Sequence, residues 1–172
     1  MKENRKRINK ITIIALCTSL ALLLSYVEMS IPVLIQGIPG IKMGLPNIAI
    51  IFALYTLGTK KTIFISFTRV TIMSMLFVNG NITYFLYSIV GAALSLTVMI
   101  ILKKLDIMSS VGVSVAGALA HNVGQILVAM ILMQTFQIVG YLIVLWATGV
   151  VSGIFVGLCG ALVVKRLSKV KI

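Results

Sequence analysis

The sequence predicts an all-α membrane protein, a bundle of six transmembrane helices with both ends of the chain in the cytoplasm. The 172-residue chain is 60% hydrophobic and 10% charged, with a mean hydropathy of +1.15, whereas soluble domains are nearer half apolar and a quarter charged. Apolar runs close to the roughly 20 residues that cross a bilayer recur along it. Most lysines and arginines stand at the ends of those runs. We therefore expect a multi-pass protein of the cell membrane.

The basic clusters indicate the topology. Each stands at the end of an apolar run, and the four are Lys2–Lys10, Lys60–Lys61, Lys103–Lys104 and Lys165–Lys171. Six spans place all four on the cytoplasmic side, as the positive-inside rule requires. Basic termini at 1–10 and 165–172 then flank a transmembrane domain at 11–164. The net charge of +12 comes mainly from the basic clusters at the ends of the apolar runs, and it does not indicate a surface that binds the groove of a nucleic acid. The expected partner is therefore the lipid bilayer and not a nucleic acid.

Each helix follows from an apolar run with polar boundaries. Helix 1 enters after the basic N-terminus, and no small-residue cleavage site follows Ser25, so we expect a retained helix and not a signal peptide. Helix 2 is short, about 12 residues or roughly 18 Å at helical rise, and Pro46 is compatible with its first turn. The expected bounds of the six helices are 11–27, 47–58, 62–78, 82–102, 110–133 and 138–164.

The connection between helices 1 and 2 is the long external one. It carries all three prolines, Pro32, Pro39 and Pro46, with glycines between them. Proline fixes φ and glycine opens turns that other residues avoid, so this composition predicts a shaped loop at the membrane surface. Lys42 lies in this loop and is the clear exception to the positive-inside pattern.

Strongly polar side chains within apolar spans are costly and usually face a cavity or a bundle interior. They occur at Glu28 at the outer end of helix 1, Asn47 at the start of helix 2, Arg69 within helix 3 and His121–Asn122–Gln125 within helix 5. Arg69 lies roughly 11 Å from the cytoplasmic end of its helix. At that depth it either snorkels to the inner surface, binds an anionic group or pairs with Glu28.

One face of helix 5 gathers a polar cluster beside small residues. The three-and-four spacing puts Gly117, His121, Gly124 and Gln125 together. This face is either the hydrogen-bonding wall of a ligand pocket or a set of interhelical hydrogen bonds at a close helix contact, which glycine permits. Spacing alone leaves both interpretations open.

Helix 1 carries two interleaved pairs of small residues, Ala15 with Ser19 and Cys17 with Ala21. Such a stripe lets another helix approach closely, either from this chain or from a partner. Cys17 and the second cysteine, Cys159, both lie in apolar runs without metal-ligand or disulfide spacing. We therefore expect both cysteines to be small buried hydrophobes.

Two blocks carry a family resemblance: "GIKMGLPNIAIIFALYTLG" and "LKKLDIMSSVGVSVAGALAHNVGQ". With the arginine of helix 3 and the six-span layout, they resemble the Gx transporter family, also labelled heptaprenyl diphosphate synthase component I, over residues 10–166. That family is similar in turn to the substrate-binding S components of energy-coupling factor (ECF) transporters. Its pattern usually has alanine where this chain has Pro46.

The resemblance implies an S-component-like bundle that holds a small molecule of unknown identity near its outer side for uptake. It also implies that Ala15 and Ser19 meet a transmembrane coupling subunit, and that separate ATPase subunits drive release inside. The loop from Pro32 to Pro46 would be the lid. The residues that would line the site are Lys42, Asn47, Arg69, His121, Asn122 and Gln125.

The acidic residues argue against enzyme activity. Only Glu3, Glu28 and Asp106 are acidic, whereas Mg²⁺ bridging a diphosphate needs several carboxylates. The chain also lacks a phosphate-binding loop, so we expect neither a catalytic synthase nor an ATPase, and no cofactor or metal.

Two other functions remain open. One is an accessory or scaffold subunit of isoprenoid or electron-transfer machinery, whose polar residues would satisfy one another without a cavity. The other is a stand-alone facilitator, which needs a route open at both faces of the membrane, and nothing in helices 4 and 6 suggests a polar lining for such a route. Basic candidates outnumber acidic ones, which favours an anionic or hydrogen-bonding ligand.

Overall fold

The computed structural model describes residues 2–30, 43–77 and 81–167. Within these ranges the chain forms six α-helices and one 3₁₀ helix, Phe136–Gly140, and no β-strand. The predicted all-α fold with six helices is confirmed. The helices are α1 Lys2–Ser30, α2 Pro46–Thr56, α3 Thr59–Phe77, α4 Ile82–Leu105, α5 Ser110–Met133 and α6 Tyr141–Leu167.

In the part of the chain that the structure describes, four segments are long and apolar enough to cross a membrane: Lys10–Ser30, Ile82–Leu105, Ser110–Met133 and Phe136–Arg166. Helix α2 has 11 residues, about 16 Å, and α3 carries Lys60, Lys61 and Arg69 within its 19 residues. Large apolar side chains such as Leu16 and Phe155 lie exposed on the outside of the bundle. Extended apolar surface of this kind marks contact with lipid, in agreement with a multi-pass membrane protein.

The observed helix bounds differ from the predicted ones mainly at polar ends. Helix α1 begins at Lys2, because a helix keeps its backbone hydrogen bonds beyond the apolar part that hydropathy detects. Helix α3 begins at Thr59, directly after Gly58, which adopts φ of 86° and closes α2. Helix α5 has the predicted bounds: the Ser109 hydroxyl caps its start by accepting from the Gly112 N–H, and Gln134 ends it in a left-handed conformation.

The basic residues that the structure describes at the ends of the helices lie at one end of the bundle, here called the basic end. They are Lys10, Lys60, Lys61, Lys103, Lys104, Lys165 and Arg166. Ile13 near the start of α1 packs in the same apolar cluster as Leu57 after α2, Ile100 near the end of α4 and Val163 near the end of α6. At this end Lys103 reaches across from α4, and its ammonium donates to the Leu54 carbonyl near the end of α2. The opposite end, which holds the start of α2 and of α4, is here called the cavity end.

Helices α4, α5 and α6 approach one another closely through glycines. A Cβ at Gly124 of α5 would lie 2.8 Å from the Cα of Gly91 in α4, and one at Gly153 of α6 would lie 2.7 Å from the Cα of Val115 in α5. Backbones at such distances leave no room for a methyl group, which is how small residues bring membrane helices together. The three helices thus form a tightly packed trio.

Candidate functional site

A cavity of about 530 Å³ lies between the helices at the cavity end. All six helices contribute to its wall, which reaches from Glu28 and Asn81 at the cavity end to Ser114 in the first half of α5. Pockets that hold small molecules have volumes of about 300–1,000 Å³. The cavity is therefore large enough for a small-molecule ligand.

The cavity brings together four of the six residues predicted to bind a ligand: Asn47, Arg69, His121 and Asn122. They come from α2, α3 and α5, which are distant in sequence. Gln125 is buried but is not among the lining residues, and Lys42 lies outside the described residues. Of the predicted lid, only 43–46 is described, and Met43, Gly44 and Pro46 lie against the cavity.

Arg69 and Glu28 give the cavity one positive and one negative charge. Both side chains line it, and they are near enough for the carboxylate to act electrostatically on the guanidinium. The Arg69 Nε is buried and has no hydrogen-bond partner among the described residues. Since Glu28 lies at the cavity end, Arg69 faces that end and does not snorkel towards the basic end.

The Glu28 carboxylate also ties two segments together. Its Oε1 accepts a hydrogen bond from the backbone N–H of Gly44, a glycine with φ of 71°. A positive φ of this size favours glycine over other residues. A Cβ at this position would meet the Asn47 amide at 3.5 Å, so the end of α1, the turn before α2 and Asn47 form one part of the wall.

The His121 imidazole packs against the backbone of α4. A Cβ at Gly91 would lie 2.8 Å from its Cε1, so glycine at this position of α4 makes room for the ring. The sequence instead suggested that Gly117 and Gly124 of α5 leave this room. Those two glycines contact Met99 and the Gly91 backbone respectively, and their role is helix packing.

Asn122 both lines the cavity and joins two helices. Its Nδ2 donates to the Leu145 carbonyl of α6 at 2.6 Å, and a Cβ at Gly149 would lie 2.7 Å from that nitrogen. Burial of the amide is therefore accompanied by a hydrogen bond, as expected for a polar group in a helix contact.

Gln125 does not share the wall with His121, contrary to the interpretation of the helix 5 face. Its Oε1 is buried and has no hydrogen-bond partner among the described residues. The backbone contact between α4 and α5 at the neighbouring Gly124 closes the wall at this level. Each of the two interpretations of helix 5, a pocket wall and a set of interhelical hydrogen bonds, therefore applies to part of it. His121 faces the cavity, whereas Asn122 lines the cavity and also makes an interhelical hydrogen bond.

Hydroxyl groups of α4 and α6 complete the wall, and the sequence analysis did not single them out. Tyr84 and Ser88 line the cavity from α4, and Thr148 and Ser152 from α6. Serine and threonine do not stand out in a hydropathy profile, because apolar spans tolerate them. Their hydroxyl can donate to a carbonyl of the same helix, as the Thr148 hydroxyl does to the Val144 carbonyl at 3.1 Å. Their four-residue spacing, which puts each pair on one face, was the available signal.

A groove of about 590 Å³ lies at the basic end between α1 and α3. The predicted interface residues Ala15 and Ser19 line it and are exposed. The other pair in the stripe, Cys17 and Ala21, is buried in the core. The two interleaved pairs therefore face opposite ways, one into the bundle and one away from it. Burial of Cys17 confirms its prediction as a small buried hydrophobe, and Cys159 is partly buried.

A family model described as heptaprenyl diphosphate synthase component I matches residues 17–163, which is most of the chain. No curated protein and no solved structure matches the chain. The matched range includes every described residue of the cavity and most of the groove.

Proposed function

Because the chain belongs to the heptaprenyl diphosphate synthase component I family, we propose that it is a membrane-embedded binding protein, the substrate-binding component of an ECF-type uptake transporter. It captures a small molecule from outside the cell, and a transmembrane coupling subunit with ATPase subunits drives release into the cytoplasm.

The observation that carries this proposal is the charged cavity. Arg69 and Glu28 lie in its wall together with His121 and Asn47, although charges and buried amides are costly inside a bilayer. A scaffold subunit does not require such a cavity, since the polar groups of a scaffold are most stable when they form hydrogen bonds with one another. A ligand would meet these groups and offset the cost of their burial.

The orientation follows from the two ends of the bundle. The basic end holds the described lysines and arginines of the helix ends, which favour the cytoplasmic side. The cavity end then faces outwards, and six spans with both termini inside satisfy this arrangement. In this orientation the ligand enters from outside the cell, as uptake requires.

The groove at the basic end supports a coupling partner. Ala15 and Ser19, which line it, are small exposed residues that let a second helix approach closely. Lys60 and Lys61 border it near the expected cytoplasmic surface. A transmembrane helix of a coupling subunit fits this surface, while the ATPases would act on that subunit from the cytoplasm.

The charge of the cavity argues against a prenyl diphosphate ligand. A diphosphate carries several negative charges, whereas Arg69 is the single lysine or arginine among the described lining residues and stands beside Glu28. Nor does the wall supply the several carboxylates with which Mg²⁺ would bridge a diphosphate. We therefore propose a non-catalytic role, whatever the family label suggests.

The test is mass spectrometry of small molecules retained by the protein purified in mild detergent. The control is Ser152→Phe, which fills the cavity from α6. We expect a compound that is retained by the wild type and lost from the variant, while both proteins elute as folded monodisperse peaks. Equal small-molecule content in the two proteins would contradict a binding function and favour an accessory subunit.

A further inference from the structure

Arg69 lies in the cavity wall with hydrogen-bonding capacity that the described residues do not use. A guanidinium has five N–H donors and no acceptor, and it keeps its charge in proteins. The Arg69 side chain lines the cavity, and its Nε is buried without a hydrogen-bond partner among the described residues. Because an unmet charged donor is costly inside a bilayer, we expect its partner to be a molecule that enters the cavity.

Helix α3 holds this guanidinium on its inner face. Ile65 and Met73 are buried, and the four-residue spacing places both on the same face of the helix as Arg69. The exposed apolar side chains of Phe64 and Phe67 lie on the opposite face. Arg69 is therefore directed into the bundle and away from lipid.

The described neighbours of Arg69 do not replace this partner. The Glu28 carboxylate acts on the guanidinium electrostatically, but its Oε1 accepts from the Gly44 N–H. Asn122 shows how a buried polar group is satisfied in a helix contact, since its Nδ2 donates to the Leu145 carbonyl at 2.6 Å. The described residues contain no such acceptor for the Arg69 Nε. Interhelical hydrogen bonding therefore does not account for this group.

The shape of a guanidinium favours one class of partner. Its planar fork matches the two oxygens of a carboxylate or a phosphate, which it binds through two parallel hydrogen bonds. A phosphate monoester carries close to two negative charges at neutral pH, and a second charge near Glu28 would add repulsion. Val70 and Met73, next to Arg69 on α3, also line the cavity and offer apolar contact to carbon atoms. This surface favours an organic carboxylate over an inorganic anion.

From this arrangement, and resting on the proposed binding function, we infer that the ligand is an organic acid whose carboxylate is bound by the Arg69 guanidinium. The carboxylate accepts the N–H groups that the bundle leaves unused, and the carbon atoms next to it contact Val70 and Met73. Further polar groups of the acid meet hydroxyls of the wall such as those of Tyr84 and Ser88, which can donate or accept.

Chemical tagging of the retained compound tests this inference on the full-length protein. Small molecules released from the purified protein by denaturation are divided into two parts. One part is coupled through a carbodiimide to a reporter amine, which tags carboxylates, and the other is treated with a phosphatase. We expect the compound enriched over Ser152→Phe to take up the tag and to keep its mass after phosphatase treatment.

Substitutions at Arg69 supply the matched measurement. Arg69→Gln should lower the retained amount about tenfold or more, because the carboxylate loses a charged donor. Arg69→Lys keeps the charge but not the planar fork and should lower retention by a smaller factor, about threefold to fivefold. Lys104→Gln removes an exposed charge at the basic end and should leave retention unchanged. Only variants that elute as folded monodisperse peaks are compared.

The outcomes separate this inference from the proposed function. A compound that is enriched in the wild type but takes up no carboxylate tag overturns the organic acid and leaves the binding function intact, and so does a phosphate ester without a carboxylate. Full retention by a folded Arg69→Gln overturns it as well. If the Arg69 variants do not fold, the tag on the wild-type compound decides alone. Absence of any compound enriched over Ser152→Phe overturns the binding function and the organic acid with it.

Discussion

Asn122 and Gln125 form a matched pair for measuring what a buried amide contributes in this bundle. They lie one turn apart on α5, and each is 9% exposed. The Asn122 amide donates to the Leu145 carbonyl, whereas the Gln125 Oε1 has no partner among the described residues. Leucine at either position keeps a side chain of similar size and removes the polar atoms.

The structure predicts opposite effects on the free energy of unfolding. Asn122→Leu loses an interhelical hydrogen bond, which in membrane proteins contributes about 0.6–1.7 kcal/mol. The Leu145 carbonyl also accepts from Thr148 at 3.1 Å and keeps that partner, so the loss should stay below the upper end of this range, at about 1 kcal/mol. Gln125→Leu removes a buried oxygen without a partner and should be neutral or slightly stabilising.

Thermal unfolding of the ligand-free protein in one detergent measures both effects. For a chain of this size, 1 kcal/mol corresponds to about 2–4 °C in Tm. We expect Asn122→Leu to melt about 2–4 °C lower and Gln125→Leu to melt at or above the wild-type temperature. An equal fall in both variants would refute the assignment of the interhelical bond to Asn122 alone.

Three further predictions concern helix contacts and topology. Ala15→Leu should abolish co-purification with a coupling subunit and leave the melting temperature unchanged. Ala21→Leu should instead destabilise the bundle by about 1–3 kcal/mol, because it overpacks the core. If Ala15→Leu still co-purifies with the partner, the groove is not the interface. A single cysteine replacing Thr135 should react with a membrane-impermeant reagent from outside the cell and one replacing Lys104 should not; the reverse labelling would invert the bundle. Gly124→Ala should separate α4 from α5 and lower Tm by several degrees, since its Cβ would lie 2.8 Å from the α4 backbone; an unchanged Tm would contradict that backbone contact.

The helices were largely predictable from the sequence because burial in lipid demands long apolar runs. Both ends of α5 were predictable, since Ser109 is a good capping residue and the run stops at Gln134. The start of α1 was not, because a helix continues through polar residues such as Lys6 as long as its backbone hydrogen bonds are made. Hydropathy detects the apolar stretch and not the helix.

The site was partly predictable, for a related reason. Arg69, His121 and Asn47 stand out because they are costly in a span, and all three line the cavity. Glu28 stands out equally, but its proximity to Arg69 depends on how α1 packs against α3. Ser152 gives little signal, because its hydroxyl proton is engaged within its own helix and only the packing of α6 turns it to the cavity.

The short length of α2 has a consequence for how the cavity arises. Its 11 residues cover about 16 Å of a hydrocarbon core about 30 Å thick. Pro46 and Asn47 at its start form part of the cavity wall, so the cavity lies where a longer helix would continue. One extra turn occupies on the order of 400 Å³, which approaches the whole cavity of about 530 Å³. The volume of the cavity is therefore expected to depend on the length of α2, and a chain with one more turn there is expected to have a smaller cavity even where every side chain of the wall is the same.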